Sequence, residues 1–155
     1  MKRILSTMLA ILAMSICAVA QSGLEINKIF GGKYSSDPNV TETMISGDQA
    51  FLQSRKLRTF ATFKGDAQTY ARIIRPLVMA DGSHATARDV RYRHGELHYA
   101  FFILPQTEVD GKTVNRYLYY LNNQKASRPT VMVIYFDGTL NSKQAEDLIK
   151  SLSQK

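Results

Sequence analysis

The chain has 155 residues, of which 20 are basic and 13 acidic, a net charge of +7, and 45% are apolar. A single cysteine excludes an intrachain disulfide framework. The basic excess is modest, short of the extreme that marks a dedicated nucleic-acid binder.

The first twenty residues have the three-part organisation of a secretory signal peptide. Lys2 and Arg3 are a short positive start, Ile4 to Ile16 is uncharged and mostly apolar, and Ala18-Val19-Ala20 supplies small residues for a signal peptidase. The apolar stretch is shorter than the roughly 20 residues needed to span a bilayer. A retained anchor and a lipid on Cys17 are weaker readings, the second because bulky Ile16 precedes the cysteine. Cleavage between Ala20 and Gln21 leaves 135 of the 155 residues, with no cysteine and 18 basic against 13 acidic residues, or +5. Residues 21–155 suit one domain, destined for the periplasm, the cell envelope or the medium. No later apolar run is long and uncharged enough to be a transmembrane helix.

In the exported part, Ser22 and Glu25 have capping-box spacing, and Ile26, Ile29 and Phe30 share a helical face before Gly31-Gly32. A short N-terminal helix is expected. Val40 to Ser46 reads as a strand. In Lys56 to Lys64, Leu57, Thr59, Ala61 and Phe63 alternate with wetter positions, as in a second strand. Asp66 is placed to cap a helix in which Tyr70, Ile73, Ile74, Leu77 and Val78 share one face; Pro76 should kink it or end its regular part.

From Ala87 to Phe136 the pattern is a meander. Val90 and Tyr92 alternate with charged residues, His94-Gly95 is a turn, and Leu97 to Leu104 is continuous enough for a central strand. Asp110-Gly111 favours a type I′ hairpin, Val114 to Leu121 is a tyrosine-rich strand, Asn122-Asn123 turns the chain, and Val131 to Phe136 is another strand. Asn141 and Gln144 then cap a final amphipathic helix. The order α-β-β-α-β-β-β-β-α predicts a two-layer α+β domain, a mainly antiparallel sheet of five to six strands with helices on one face.

The chemistry-bearing residues are sparse. His84, His94 and His98 are the only histidines. His94 and His98 would share a metal on a helix, but in a strand they lie about 13 Å apart. Neither a metal nor another cofactor is expected. No G-x-S-x-G elbow, marked carboxylate pair or phosphate-cradling loop is present, so a hydrolase would have to assemble its residues from distant segments. Asn39-Val40-Thr41 matches the glycosylation sequon, a pattern common by chance. The arginines are a better signal. Arg58 on the second strand and Arg88, Arg91 and Arg93 on the third, near Tyr117 and Tyr119 in sequence, are candidates for an anion-binding sheet face. The competing reading is a solvated, charged face that blocks edge pairing.

Three passages together resemble a family of small exported bacterial proteins with a domain of unknown function. They are Ala-Gln-Ser-Gly-Leu-Glu-Ile-Asn-Lys-Ile-Phe at 20–30, Thr-Val-Met-Val-Ile-Tyr-Phe-Asp-Gly-Thr-Leu at 130–140, and the helix that follows. The resemblance implies export to the Gram-negative periplasm or envelope and brings no catalytic residues with it. The leading expectation is a non-enzymatic binding or interaction module whose partner is an envelope protein or an anionic ligand. A binder of polyanions such as glycans or phosphate-bearing molecules is the alternative, with nucleic acid the less favoured case, and a hydrolase without a local motif is the third.

Overall fold

A computed structural model describes residues 23–125 and 127–153. The leader at 1–20, the cleavage point between Ala20 and Gln21, and Ser22 lie outside the described residues. Six strands form one sheet: β1 (Thr41–Ser46), β2 (Leu57–Asp66), β3 (Ala87–Arg93), β4 (Glu96–Val109), β5 (Lys112–Asn123) and β6 (Thr130–Gly138). Their spatial order is β1-β2-β6-β5-β4-β3, and all neighbours are antiparallel. The helices are α1 (Ala50–Ser54), α2 (Ala67–Gly82) and α3 (Ser142–Ser153), with a 3-10 turn at Glu25–Ile29. The fold is therefore α+β on an open antiparallel sheet. Helix α2 carries the chain from β2 to the far edge, and the meander β3-β4-β5-β6 brings it back beside β2. In this order β2, β6, β5 and β4 are interior, and β4 has a partner strand on each side, as expected of a central strand.

Two cores lie on opposite faces of the sheet. Alternate residues of a strand point to opposite sides. On one side Leu118, Tyr120, Val131, Val133 and Tyr135 pack with Tyr70, Ile74 and Val78 of α2 and with Ile26 and Ile29. On the other, Tyr117, Tyr119, Ile134 and Phe136 pack with Leu52 of α1 and with Ala145, Leu148 and Ile149 of α3. The expectation that the helices share one face is thus corrected to three layers. The reason is visible in β5 and β6: both are apolar at odd and even positions, and a strand buried on both sides needs cover on both.

The N-terminal helix is a single 3-10 stretch with Leu24 in the cap position and no side-chain cap from its own residues. Its free N–H groups are bound from a distance: Asp81, at the end of α2, accepts from Glu25 N at 2.7 Å and Ile26 N at 2.8 Å. Helix α2 is capped as expected, by Asp66 accepting from Thr69 N at 2.9 Å. It runs through Pro76 to Gly82 instead of ending. Pro76 and Arg72 are both exposed, so the carbonyl that loses its donor lies on the solvent side, where water can serve it. Ile73, expected on the buried face, is exposed. The turns His94-Gly95 and Asp110-Gly111 both have positive φ at both residues, at 51° and 77° and at 52° and 74°, the type I′ signature. Asn122-Asn123 does not turn the chain; both residues remain in β5.

Candidate functional site

The six residues expected to form an Arg/Tyr face are dispersed by the fold. Tyr117 and Tyr119 are each 2% exposed, in the core that α3 covers. The Tyr117 hydroxyl donates to Leu140 O at 2.8 Å, and burial pushes the Tyr119 phenol up to about 12. Arg91 lies over the ring of Tyr99, 4.9 Å from its centroid, and pairs with Asp89 at 2.8 Å. Tyr99 in turn meets Tyr119 edge to face at 5.6 Å. Arg88, across from Phe102, is an odd number of residues from Arg91 and projects from the other face. Arg93 stands at the β3–β4 hairpin, and Arg58 lies on β2, well away from both. The tyrosines are structural and the arginines serve separate places.

At the end of the sheet formed by the start of β2 and β5 and the close of β6, a polar row crosses three strands. Register sets Thr59, Asp137 and Arg116 side by side. Asp137 is fully buried and accepts from the Tyr135 hydroxyl at 2.8 Å through Oδ2. Its Oδ1 has no hydrogen-bond partner among the described residues. Burial raises the pKa of Asp137, opposed in part by the Tyr135 hydrogen bond and by Arg58. The Tyr135 phenol is pushed far up by burial and by Asp137. Two irregularities shape this end. A bulge between Leu57 and Thr59 inserts Arg58, and another between Leu104 and Thr107 turns β4 so that Arg116 Nε donates to Pro105 O at 2.8 Å. Bulges of this kind re-aim side chains. Arg116 also acts electrostatically on Asp81, whose pKa burial raises.

A groove of about 460 Å³ opens at this end of the sheet. Its cations are Lys56, Arg58 and Lys112, its hydroxyls include Thr59, Thr113 and Thr139, and Asp48 and Asp110 also line it. The strand ends below it are pressed together: a Cβ on Gly138 would lie 2.1 Å from Lys56 O. Three cations beside several hydroxyls can receive an anionic group through charge-assisted hydrogen bonds.

A second cavity, of about 540 Å³, lies at the opposite end, lined by Arg93, His94, Glu96, Leu97, His98, Asn122, Gln124 and Lys125. His98 is the extra residue of a bulge, between Tyr99 opposite Arg91 and Leu97 opposite Tyr92. Its Nδ1 lies 2.9 Å from Asn122 O. Among the described residues no group of three or more His, Cys, Asp or Glu is placed to hold a metal ion, and no helix is long and apolar enough to cross a membrane.

Asp137, Tyr135 and Arg116 were not singled out by sequence. The available signal was a charged residue closing the apolar run of β6, but Asp137-Gly138 has the look of a turn.

The fold and groove define an α+β antiparallel-sheet domain with a basic, hydroxyl-lined end. Residues 13–149 match the model of a family of unknown function, DUF6108, and the chain belongs to that family. No curated protein matches the chain, and no solved structure does.

Proposed function

We propose that the chain is an exported, non-enzymatic binding module of the periplasm or cell envelope, and that its groove at the Asp137 end receives an anionic group of a ligand or partner. The observation that carries this reading is the groove lined by Lys56, Arg58 and Lys112, whose lining residues Thr59 and Gly138 adjoin the buried Asp137 in the sheet. Burying a carboxylate beside arginines contributes little to stability compared with an apolar core of the same volume. Such a cluster is more readily understood as a scaffold that fixes cations at a binding surface. The leader supports export: Lys2-Arg3, the apolar stretch and Ala18-Val19-Ala20 together specify secretion, with Gln21 as the new N-terminus.

The test is calorimetric titration of the secreted chain with inorganic phosphate and with a sulfated disaccharide at low and high salt. Binding at low salt that weakens as salt rises, and that the double variant Lys56→Ala/Lys112→Ala loses, supports the reading. Both lysines are exposed, so the fold is expected to survive the change. No binding of either probe at low salt, or equal binding by the variant, overturns it. N-terminal sequencing of the periplasmic fraction checks export; a chain that retains Met1 or stays in the cytoplasm refutes that part.

A further inference from the structure

We propose that the cavity at the β3–β4 hairpin is a second and independent binding site, for a small organic carboxylate with an apolar body. Its charge is unbalanced. Arg93 and Lys125 have no ion-pair partner among the described residues, while the acid that lines the cavity, Glu96, is held by Arg75 at 2.9 Å. Its polar groups are also fixed in place. Asn122 is 6% exposed, its Oδ1 accepts from Gln124 Nε2 at 2.5 Å, and its carbonyl oxygen holds His98 Nδ1. That leaves Nε2 as the remaining polar atom of the His98 ring. Leu97, at 1% exposed, gives the lining an apolar element anchored in the core. The volume of about 540 Å³ is that of a small-molecule pocket. Two cations without an ion-pair partner among the described residues for the carboxylate, fixed amide and imidazole groups for its orientation, and the apolar element at Leu97 with the alkyl stems of the flanking side chains for its body make a set suited to such a ligand.

The site is separate from the groove at the Asp137 end. Arg116 and Asn122 are six steps apart along β5, about 20 Å of strand.

Benzoate carries both features of the proposed ligand, and acetate and benzyl alcohol carry one each. In amide NMR spectra of the secreted chain, benzoate is expected to shift Leu97, His98 and Gln124 saturably, and each control to bind more weakly. The double variant Arg93→Ala/Lys125→Ala, at two exposed positions, should weaken benzoate by about tenfold or more, the loss of charge-assisted contacts. Lys56→Ala/Lys112→Ala should leave it unchanged, which separates this site from the groove. Absence of saturable shifts, equal binding of benzyl alcohol, undiminished binding by Arg93→Ala/Lys125→Ala, or loss in Lys56→Ala/Lys112→Ala would each overturn the proposal.

Discussion

Tyr135→Phe removes one oxygen from the centre of the polar row and leaves the ring in place. The lost group donates to Asp137 Oδ2 at 2.8 Å, and both side chains are fully buried. A hydrogen bond to a charged acceptor contributes about 1.5–3 kcal/mol, because its loss leaves a buried oxygen that water cannot reach. For a domain of this size that is a fall in Tm of roughly 5–15 °C. The loss should depend on pH in a defined direction. Asp137 has its folded-state pKa raised by burial, so its contribution to stability is fully present below the unfolded value of about 3.9 and is lost as pH rises through the folded-state value. The Tyr135 hydrogen bond moves that pKa down. Without it the charged form is penalised further, and the deficit of Tyr135→Phe should be larger at pH 7 than at pH 4. Asp81, raised in the same direction, titrates in both proteins and cancels in the difference. Urea denaturation of both proteins at the two pH values measures this directly. A deficit below about 0.5 kcal/mol, within the range of an ordinary surface change, or one equal at both pH values, would show that the pair does not carry the energy assigned to it.

Two further substitutions test how the strands and helices around the site are held. Gly138→Ala should destabilise by about 3 kcal/mol or more, because the new Cβ would meet Lys56 O at 2.1 Å and Leu57 Cα at 2.8 Å, backbone atoms that cannot rotate away; unchanged urea stability would mean that β2 and β6 are less tightly joined there. Asp66→Ala should cost about 1 kcal/mol by freeing the Thr69 N–H at the start of α2, read as a shifted denaturation midpoint with an unchanged slope, and a variant as stable as the parent would show that the cap is dispensable.

Much of the fold was legible because local rules coincided with tertiary demands. The hairpins at His94-Gly95 and Asp110-Gly111 needed positive φ, and the residues that adopt it were present. Asp66 capped α2 as its position implied. The layering was less legible. Leu148 and Ile149 mark an apolar helix face equally well whichever side of the sheet it covers, and only the two-sided burial of β5 and β6 sends α3 opposite to α2. The fate of Pro76 was likewise settled by surroundings, since its cost depends on whether the orphaned carbonyl meets water or core.

The site was much less legible, and the reason is register. Thr59, Arg116 and Asp137 are far apart in the chain and become neighbours only when β2, β6 and β5 pair in one alignment. A slip of one residue would send Asp137 to the opposite face. Bulges then decide which side chains arrive: Arg58 enters through one, His98 through another. Charge clustering along the sequence pointed instead to Arg88, Arg91 and Arg93, which β3 divides between two faces, and to Tyr117 and Tyr119, which packing consumes. The same distance effect governs Asp81, whose carboxylate caps the 3-10 turn from 55 residues away. In an antiparallel sheet of this kind, a polar residue that interrupts an apolar strand near its end is therefore a better pointer to a buried site than a run of surface arginines, because burial leaves it costly unless its partners are built across the strands.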